Sequence, residues 1–361
     1  PDVVSADRVC VLRAARHVSR QPTLVEALNA SHTVISDTHV ALQHTLHRDD
    51  FSLRVDVKIP ARGVTGLFGE SGSGKTTLLR CIAGLENPHA RGSLPVHKRG
   101  IGYVFQEPQL FPHLTVHGNI RFGLERNGSP QLDEQRIVTM LGIEKLLHRK
   151  PTELSGGEAQ RVAIAAVLLR SPQLILMDEP LASLDQRRKD ELLPYLDRLH
   201  DELSVPVVYV SHNIDEVSRL CDHLLLIDNG EIVASGRLHD VLARLDIPIL
   251  YGRNAGTVIR ATPERYDNDF DLTRFRFSGG ELLVPGQYDA RSPNLRLRIA
   301  ASDVSLCLVR PQKTTILNVL PAEVDDVQPT GPSTDLVRLA IGDDFLLAQL
   351  TRLSATRLDL K

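Results

Sequence analysis

The run Gly69-Glu70-Ser71-Gly72-Ser73-Gly74-Lys75-Thr76-Thr77 narrows the possible folds more than any other stretch of the chain. It fits the pattern of glycine, four residues, then Gly-Lys-Ser/Thr. The apolar residues Val64 to Phe68 lead into it and predict a buried strand. A helical stretch from Thr76 to Leu85 leads out and stops after Gly84. Strand, glycine loop and helix together make an anion site. Glycines let the main chain wrap closely around an anion, with successive N–H groups turned inward. The start of a helix adds unpaired N–H groups and the positive end of its dipole. Lys75 can then reach the outer phosphates of a nucleotide, and the Thr76 hydroxyl can ligate Mg²⁺.

Composition bounds what surrounds this loop. A chain of 361 residues, 42% hydrophobic, has room for two domains with cores of their own. The net charge of −3 argues against a dedicated nucleic-acid binder. The absence of Trp and an aromatic content of 4% argue against base-stacking platforms. Cys10, Cys81, Cys221 and Cys307 are scattered without metal-type spacing and read as reduced thiols. The longest apolar run, Val162 to Leu169, falls well short of the ~20 residues of a membrane span. Any membrane role must therefore come through a partner.

Residues 1–38 show no clean periodicity and read as an N-terminal extension, either a regulatory arm or a segment outside the folded domain. From His39 to Leu46 and from Phe51 to Val57 the chain alternates, which predicts strands of a half-exposed antiparallel sheet. An aromatic ring upstream of the phosphate loop often stacks on the base. The alternation assigns Phe51 to the core and leaves His47 as the candidate. Gly102-Tyr103-Val104-Phe105 is a further strand ending at Gln106. Residues from about 107 to 165 look helical and read as a subdomain inserted into an α/β core.

Leu154-Ser155-Gly156-Gly157-Glu158 opens a strong helix, with Ser155 and Glu158 at capping-box spacing. Gly156 and Gly157 weaken a first turn. They make sense where a phosphate must approach the main chain closely. Leu174 to Met177 is a buried strand ending in Asp178 and Glu179. Ligands bind at the carboxyl ends of such strands, so Asp178 is expected to hold Mg²⁺ through water, with Glu179 near the terminal phosphate. Asp185 precedes a helix from Gln186 to Leu203, and the strand Val207 to Val210 closes on Ser211-His212. If that strand lies beside the others, His212 can reach the terminal phosphate. Leu224 to Val233 reads as a hairpin with an Asn-Gly turn. Beyond residue 252 short alternating runs predict a small all-β barrel domain, among them Thr257 to Ala261, Val304 to Val309 and Phe345 to Leu350. The last run ends so near Lys361 that one more strand is expected beyond it.

The phosphate loop, Gln106, Leu154 to Glu158, Asp178-Glu179 and His212, in this order, resemble the ATP-binding-cassette ATPases. The resemblance implies an α/β P-loop NTPase cassette over residues 39–250. Such a cassette has a RecA-like core, an antiparallel β edge and the helical subdomain, followed by the β domain at 253–361. It implies that Gly69 to Thr77 bind ATP, that Thr76 and Gln106 ligate Mg²⁺ with Asp178 behind them, and that Glu179 is the general base. His212 would contact the terminal phosphate, and Asp185 would cross to a second copy. Two such cassettes face head to tail, so Ser155, Gly156 and Gly157 would cap ATP held by the partner.

The β tail resembles that of importer ATPases fed by a binding protein. Arg187 to Leu196, Val104-Phe105-Gln106 with Leu110 to His113, and Arg298-Ile299 with Ser302 to Leu306 resemble the molybdate-importer subgroup. Thr315 to Leu320 resembles the start of that subgroup's TOBE/Mop-like oxyanion-binding tail, with Leu317 where the subgroup usually has Arg. The implied partners are a membrane permease and, indirectly, a periplasmic oxyanion-binding protein. The implied location is the cytoplasmic face of a bacterial inner membrane. Importers of sulfate, iron, sugars or polyamines, and cassette ATPases acting on nucleic acid or ribosomes, share the same nucleotide residues.

Overall fold

The computed structural model describes residues 31–48, 51–86, 95–122, 133–182, 184–202, 205–288 and 295–360. The first strand is β1 (Ser31–Ile35), followed by β2 (His39–Arg48), β3 (Phe51–Pro60) and β4 (Val64–Phe68). The phosphate loop and the helix Lys75–Ala83 come next, then β5 (Ile101–Val104). The helical insert contains Val116–Arg121, Glu134–Met140 and the longer Gly156–Leu168. β6 (Leu174–Asp178), the helix Gln186–Glu202, β7 (Val207–Val210) and the helix Ile214–Leu220 follow. The hairpin of β8 (His223–Asp228) and β9 (Glu231–Arg237) and the helix Leu238–Leu242 end this part.

These strands form one nine-stranded sheet in the order β1-β2-β3-β9-β8-β4-β7-β6-β5. From β8 to β5 all neighbours are parallel. β1, β2 and β3 add an antiparallel edge. The parallel strands are buried on both faces, and their residues alternate between two cores. Ile175, Met177, Val207 and Tyr209 face the core shared with the helical insert. Leu174, Leu176, Val208 and Val210 face the core shared with the helix Lys75–Ala83 and the antiparallel edge. Hence these segments read as unbroken apolar runs. In the β8–β9 hairpin, Asn229 and Gly230 both take positive φ, 47° and 81°, as a type I′ turn demands.

Two expectations need correction here. Residues 31–35, placed within the extension of residues 1–38, pair antiparallel with β2 from Ser31↔His44 to Ile35↔Val40. The segment is short and Val34 is exposed, so its alternation is too weak to stand out. Residues 1–30 of that extension lie outside the described residues. In the β domain, Val304 to Val309 is not a strand but an irregular segment that bends at Leu308 and Val309, which are 73% and 80% exposed.

The domain contains β10 (Gly256–Asp267), β11 (Leu272–Phe277), β12 (Gly280–Pro285) and β13 (Leu295–Ala300), in the order β12-β11-β10-β13. A second sheet contains β14 (Glu323–Pro329), β15 (Thr334–Ile341) and β16 (Asp344–Thr351). Both sheets bury side chains in one core around Phe275, Ile259, Val337 and Ala348. The sequence gives no sign of β14, whose residues Glu-Val-Asp-Asp-Val-Gln-Pro are charged and mostly exposed. Such composition suits an edge strand, and β14 is one.

Candidate nucleotide site

The phosphate loop, Asp178-Glu179 and Ser211-His212 all leave the carboxyl ends of neighbouring parallel strands. Register puts Leu67 of β4 and Asp178 of β6 on either side of Val210 in β7. Three segments far apart in sequence therefore meet at one end of the sheet.

At the base of the loop, Lys75 is 6% exposed. Its Nζ donates to the carbonyls of Gly69 at 2.8 Å and Glu70 at 2.6 Å. Burial holds the Lys75 amine below the usual lysine range, partly offset by the carboxylates of Glu179 and Asp178. The Thr76 hydroxyl donates to Asp178 Oδ1 at 3.0 Å, and the Tyr103 hydroxyl donates to Oδ2 at 2.8 Å. Burial, then the neighbouring Asp178 charge, pushes the Tyr103 phenol up, so it stays a donor. The Ser73 hydroxyl is buried without a hydrogen-bond partner.

Gly74 has φ of 104°, and a Cβ there would come within 2.7 Å of the Phe51 ring. A cleft of about 320 Å³ opens over the loop, lined by Arg48, Phe51, Gly72, Lys75, Thr76 and Glu179 among others. Phe51 thus borders the cleft as well as packing on the core, so the expectation that it serves the core alone is corrected. His47 instead meets the Ser52 hydroxyl at 3.1 Å and does not line this cleft. Alternation separates the two faces of a strand, but Phe51 begins β3, where one face continues into the cleft.

Glu179 takes φ of 45°, a conformation uncommon for a residue with a side chain. Its N–H is held by the Val210 carbonyl at 3.1 Å. Its carboxylate lies 3.1 Å from His212 Nδ1. His212 itself is exposed. Gln106 follows β5, is exposed, and lines neither cleft described here.

Ser155, Gly157 and Asp185 lie elsewhere. They border a separate cleft of about 470 Å³ with Glu158, Arg161 and Arg188. Gly156 begins the helix there, where an added Cβ would meet Leu184 at 3.3 Å. Ser155 caps the helix by accepting from the Glu158 N–H at 3.3 Å, and the Glu158 carboxylate accepts from the Ser155 N–H at 2.8 Å. That backbone bond holds the Glu158 carboxyl below its usual range. A Cβ on Gly157 would meet nothing within 4 Å. The two clefts share no lining residue. Gln160, 1% exposed, ties this helix to the Phe105 carbonyl at 3.2 Å, just before Gln106. Tyr103, Gln160 and Phe51 escape sequence reasoning because their partners are distant in sequence.

Residues 53–182 match the model of the ABC transporter family. The molybdenum import ATP-binding protein ModC of Methylococcus capsulatus is 50% identical over 323 residues, covering 85% of this chain and 91% of that protein. ModC 1 of Azotobacter vinelandii is 49% identical, covering 85% and 90%.

The chain belongs to the ABC transporter ATP-binding proteins. It is an ATP-hydrolysing transporter subunit. Residues 314–361 match the TOBE domain, which accounts for the second β sheet. Among solved structures, cbiO1 from Clostridium perfringens, described as part of the ABC transporter complex cbiONQ, aligns with a TM-score of 0.51. It is 27% identical, covering 59% of this chain and 94% of that one. No helix of the described residues is long and apolar enough to cross a membrane.

Proposed function

We propose that this ABC ATPase powers molybdate import, working as a head-to-tail pair of copies on a membrane permease. The observation that carries the two-copy reading is the division of the nucleotide residues between two clefts. Lys75, Thr76 and Glu179 border one cleft, while Ser155, Gly157 and Asp185 border the other. Nothing in its own chain lies within 4 Å of where a Cβ on Gly157 would sit, so no contact there calls for a glycine. A glycine is called for if the partner's triphosphate approaches the helix start. Molybdate as substrate rests on the relatives, which are about half identical and bear molybdenum import in their names.

In this reading Gly69 to Thr77 bind the phosphates of ATP. Thr76 and Gln106 would ligate Mg²⁺, with Asp178 behind them; this all-oxygen donor set suits that ion. The bound ion neutralises charge developing on the phosphate oxygens. Glu179 draws a proton from the attacking water, and His212, at hydrogen-bond distance from it, contacts the terminal phosphate. Asp185 reaches the second copy.

The exposed ring of Phe105 beside Gln106 in sequence, and the exposed, touching rings of Phe111 and Phe122, offer the permease an apolar foothold, which would keep this subunit peripheral on the cytoplasmic face of the membrane. A periplasmic oxyanion-binding protein would deliver the substrate. Leu317, 64% exposed, offers an anion no donor, so no oxyanion role is assigned to the tail. Uptake into vesicles carrying this subunit, its permease and its binding protein tests the substrate. Molybdate should accumulate in preference to sulfate when ATP is present; equal or faster sulfate uptake would reject the assignment.

A further inference from the structure

The carboxylate of Glu216 has no part in the chemistry above, yet it is 6% exposed. A buried carboxylate is costly unless it is fully paired. Glu216 has three donors from three elements. Lys189 Nζ lies at 2.8 Å, the Ser211 hydroxyl at 2.8 Å and the Tyr209 hydroxyl at 3.1 Å. Burial, and then the Glu216 charge, raises the Tyr209 phenol well above its ordinary range, so it remains a donor.

Each donor leads to the nucleotide residues. Ser211 immediately precedes His212, and its oxygen also accepts from the Asn213 N–H at 3.0 Å. Both sides of His212 are thus pinned through one hydroxyl. Lys189 sits one helical turn beyond Asp185, whose carbonyl accepts the Lys189 N–H at 3.0 Å. Tyr209 lies in β7, which ends two residues before His212. The helix carrying Glu216 is braced from its other side, where Arg298 of β13 pairs with Asp215 at 2.8 Å. An exposed His212 has few contacts of its own to fix its place.

We propose that Glu216 is a positioning residue for hydrolysis: it holds His212 against Glu179 and ties that pair to the segment bearing Asp185. The inference rests on the nucleotide-site assignment above. A structural role alone would show only in stability. A positioning role lowers turnover far more than ATP binding, because the cleft over the phosphate loop is lined by neither His212 nor Asp185.

Steady-state ATPase and nucleotide titration on the full chain separate the two. Glu216→Gln should lower kcat by roughly 10–100-fold, the range a small misplacement of a reacting group costs, with KM and nucleotide affinity within about twofold. Ser211→Ala should reproduce part of the loss. The double variant Lys189→Met, Glu216→Leu replaces a buried ion pair with apolar groups, which commonly restores stability. It should melt near the wild-type temperature and still turn over slowly. Wild-type kcat in Glu216→Gln, or a kcat in the double variant that recovers with its melting temperature, overturns the proposal. A Glu179→Gln variant with full turnover overturns the site assignment and this inference together, so the two failures are distinguishable.

Discussion

The two clefts are built to different standards of self-sufficiency. In the phosphate-loop cleft, the groups assigned to the chemistry have partners in their own chain: Lys75 on two carbonyls, Thr76 and Tyr103 on Asp178, Glu179 beside His212. Gly74 is locked, with no room for a Cβ against Phe51, while a Cβ on Gly72 would meet nothing within 4 Å. The cleft around Ser155 has its helix cap and a rim of surface pairs, Asp185 with Arg188 and Arg187 with Glu191. Gly157 faces empty space, and Asp185 is exposed. A site that is finished from one side tells where the substrate sits first; a site left open tells where something else must arrive.

The sharpest test of the first cleft removes its base. Glu179→Gln should lower ATP turnover by roughly 10²–10⁴-fold, the usual worth of a general base, with nucleotide affinity retained. Unchanged steady-state ATPase would remove Glu179 from that role. Next in size is Lys75→Ala. A charged hydrogen bond contributes roughly 1.5–3 kcal/mol, so affinity for ATP should fall about 10- to 100-fold by equilibrium titration. Undiminished affinity would count against the loop as the phosphate site.

A paired comparison of glycines bears directly on the contrast. Gly74→Ala should destabilise the isolated chain by roughly 1–3 kcal/mol, the cost of forcing a side chain into a strained backbone region. Gly157→Ala should leave it unchanged or up to about 1 kcal/mol more stable, since alanine is the better helix former, yet turnover should fall. Urea unfolding and ATPase rates on both variants check this. Turnover by Gly157→Ala equal to wild type would break the contrast.

The smallest effect concerns the cap. Glu158 is held below its ordinary pKa of 4.5 by the Ser155 backbone bond, so the folded state binds this proton less readily than the unfolded one. Its stabilising contribution is therefore full above that ordinary pKa and is lost as pH falls through the lowered one. At the rim of a water-filled cleft and partly solvated, it is worth only a few tenths of a kcal/mol. Urea midpoints of wild type and Glu158→Gln should differ slightly at neutral pH and converge in acid; a gap that widens in acid would contradict the sign.

Local patterns in the sequence already determined much of this protein. The glycine loop before a helix, the apolar strand ending in Asp178-Glu179, the capping pair Ser155 and Glu158, and the Asn229-Gly230 turn each depend on residues a few positions apart. Short-range sterics and hydrogen bonding write such features directly into the chain. Only the tertiary structure decided what depends on juxtaposition. It put β1 on the sheet edge, gave the cleft Phe51 rather than His47, and set Tyr103 on Asp178. It also left Val304 to Val309 unpaired, made a strand of the acidic β14, and gathered Lys189, Tyr209 and Ser211 around Glu216. Those outcomes follow from strand order and from which side chains share a buried space, and neither quantity has a period or a spacing along the chain.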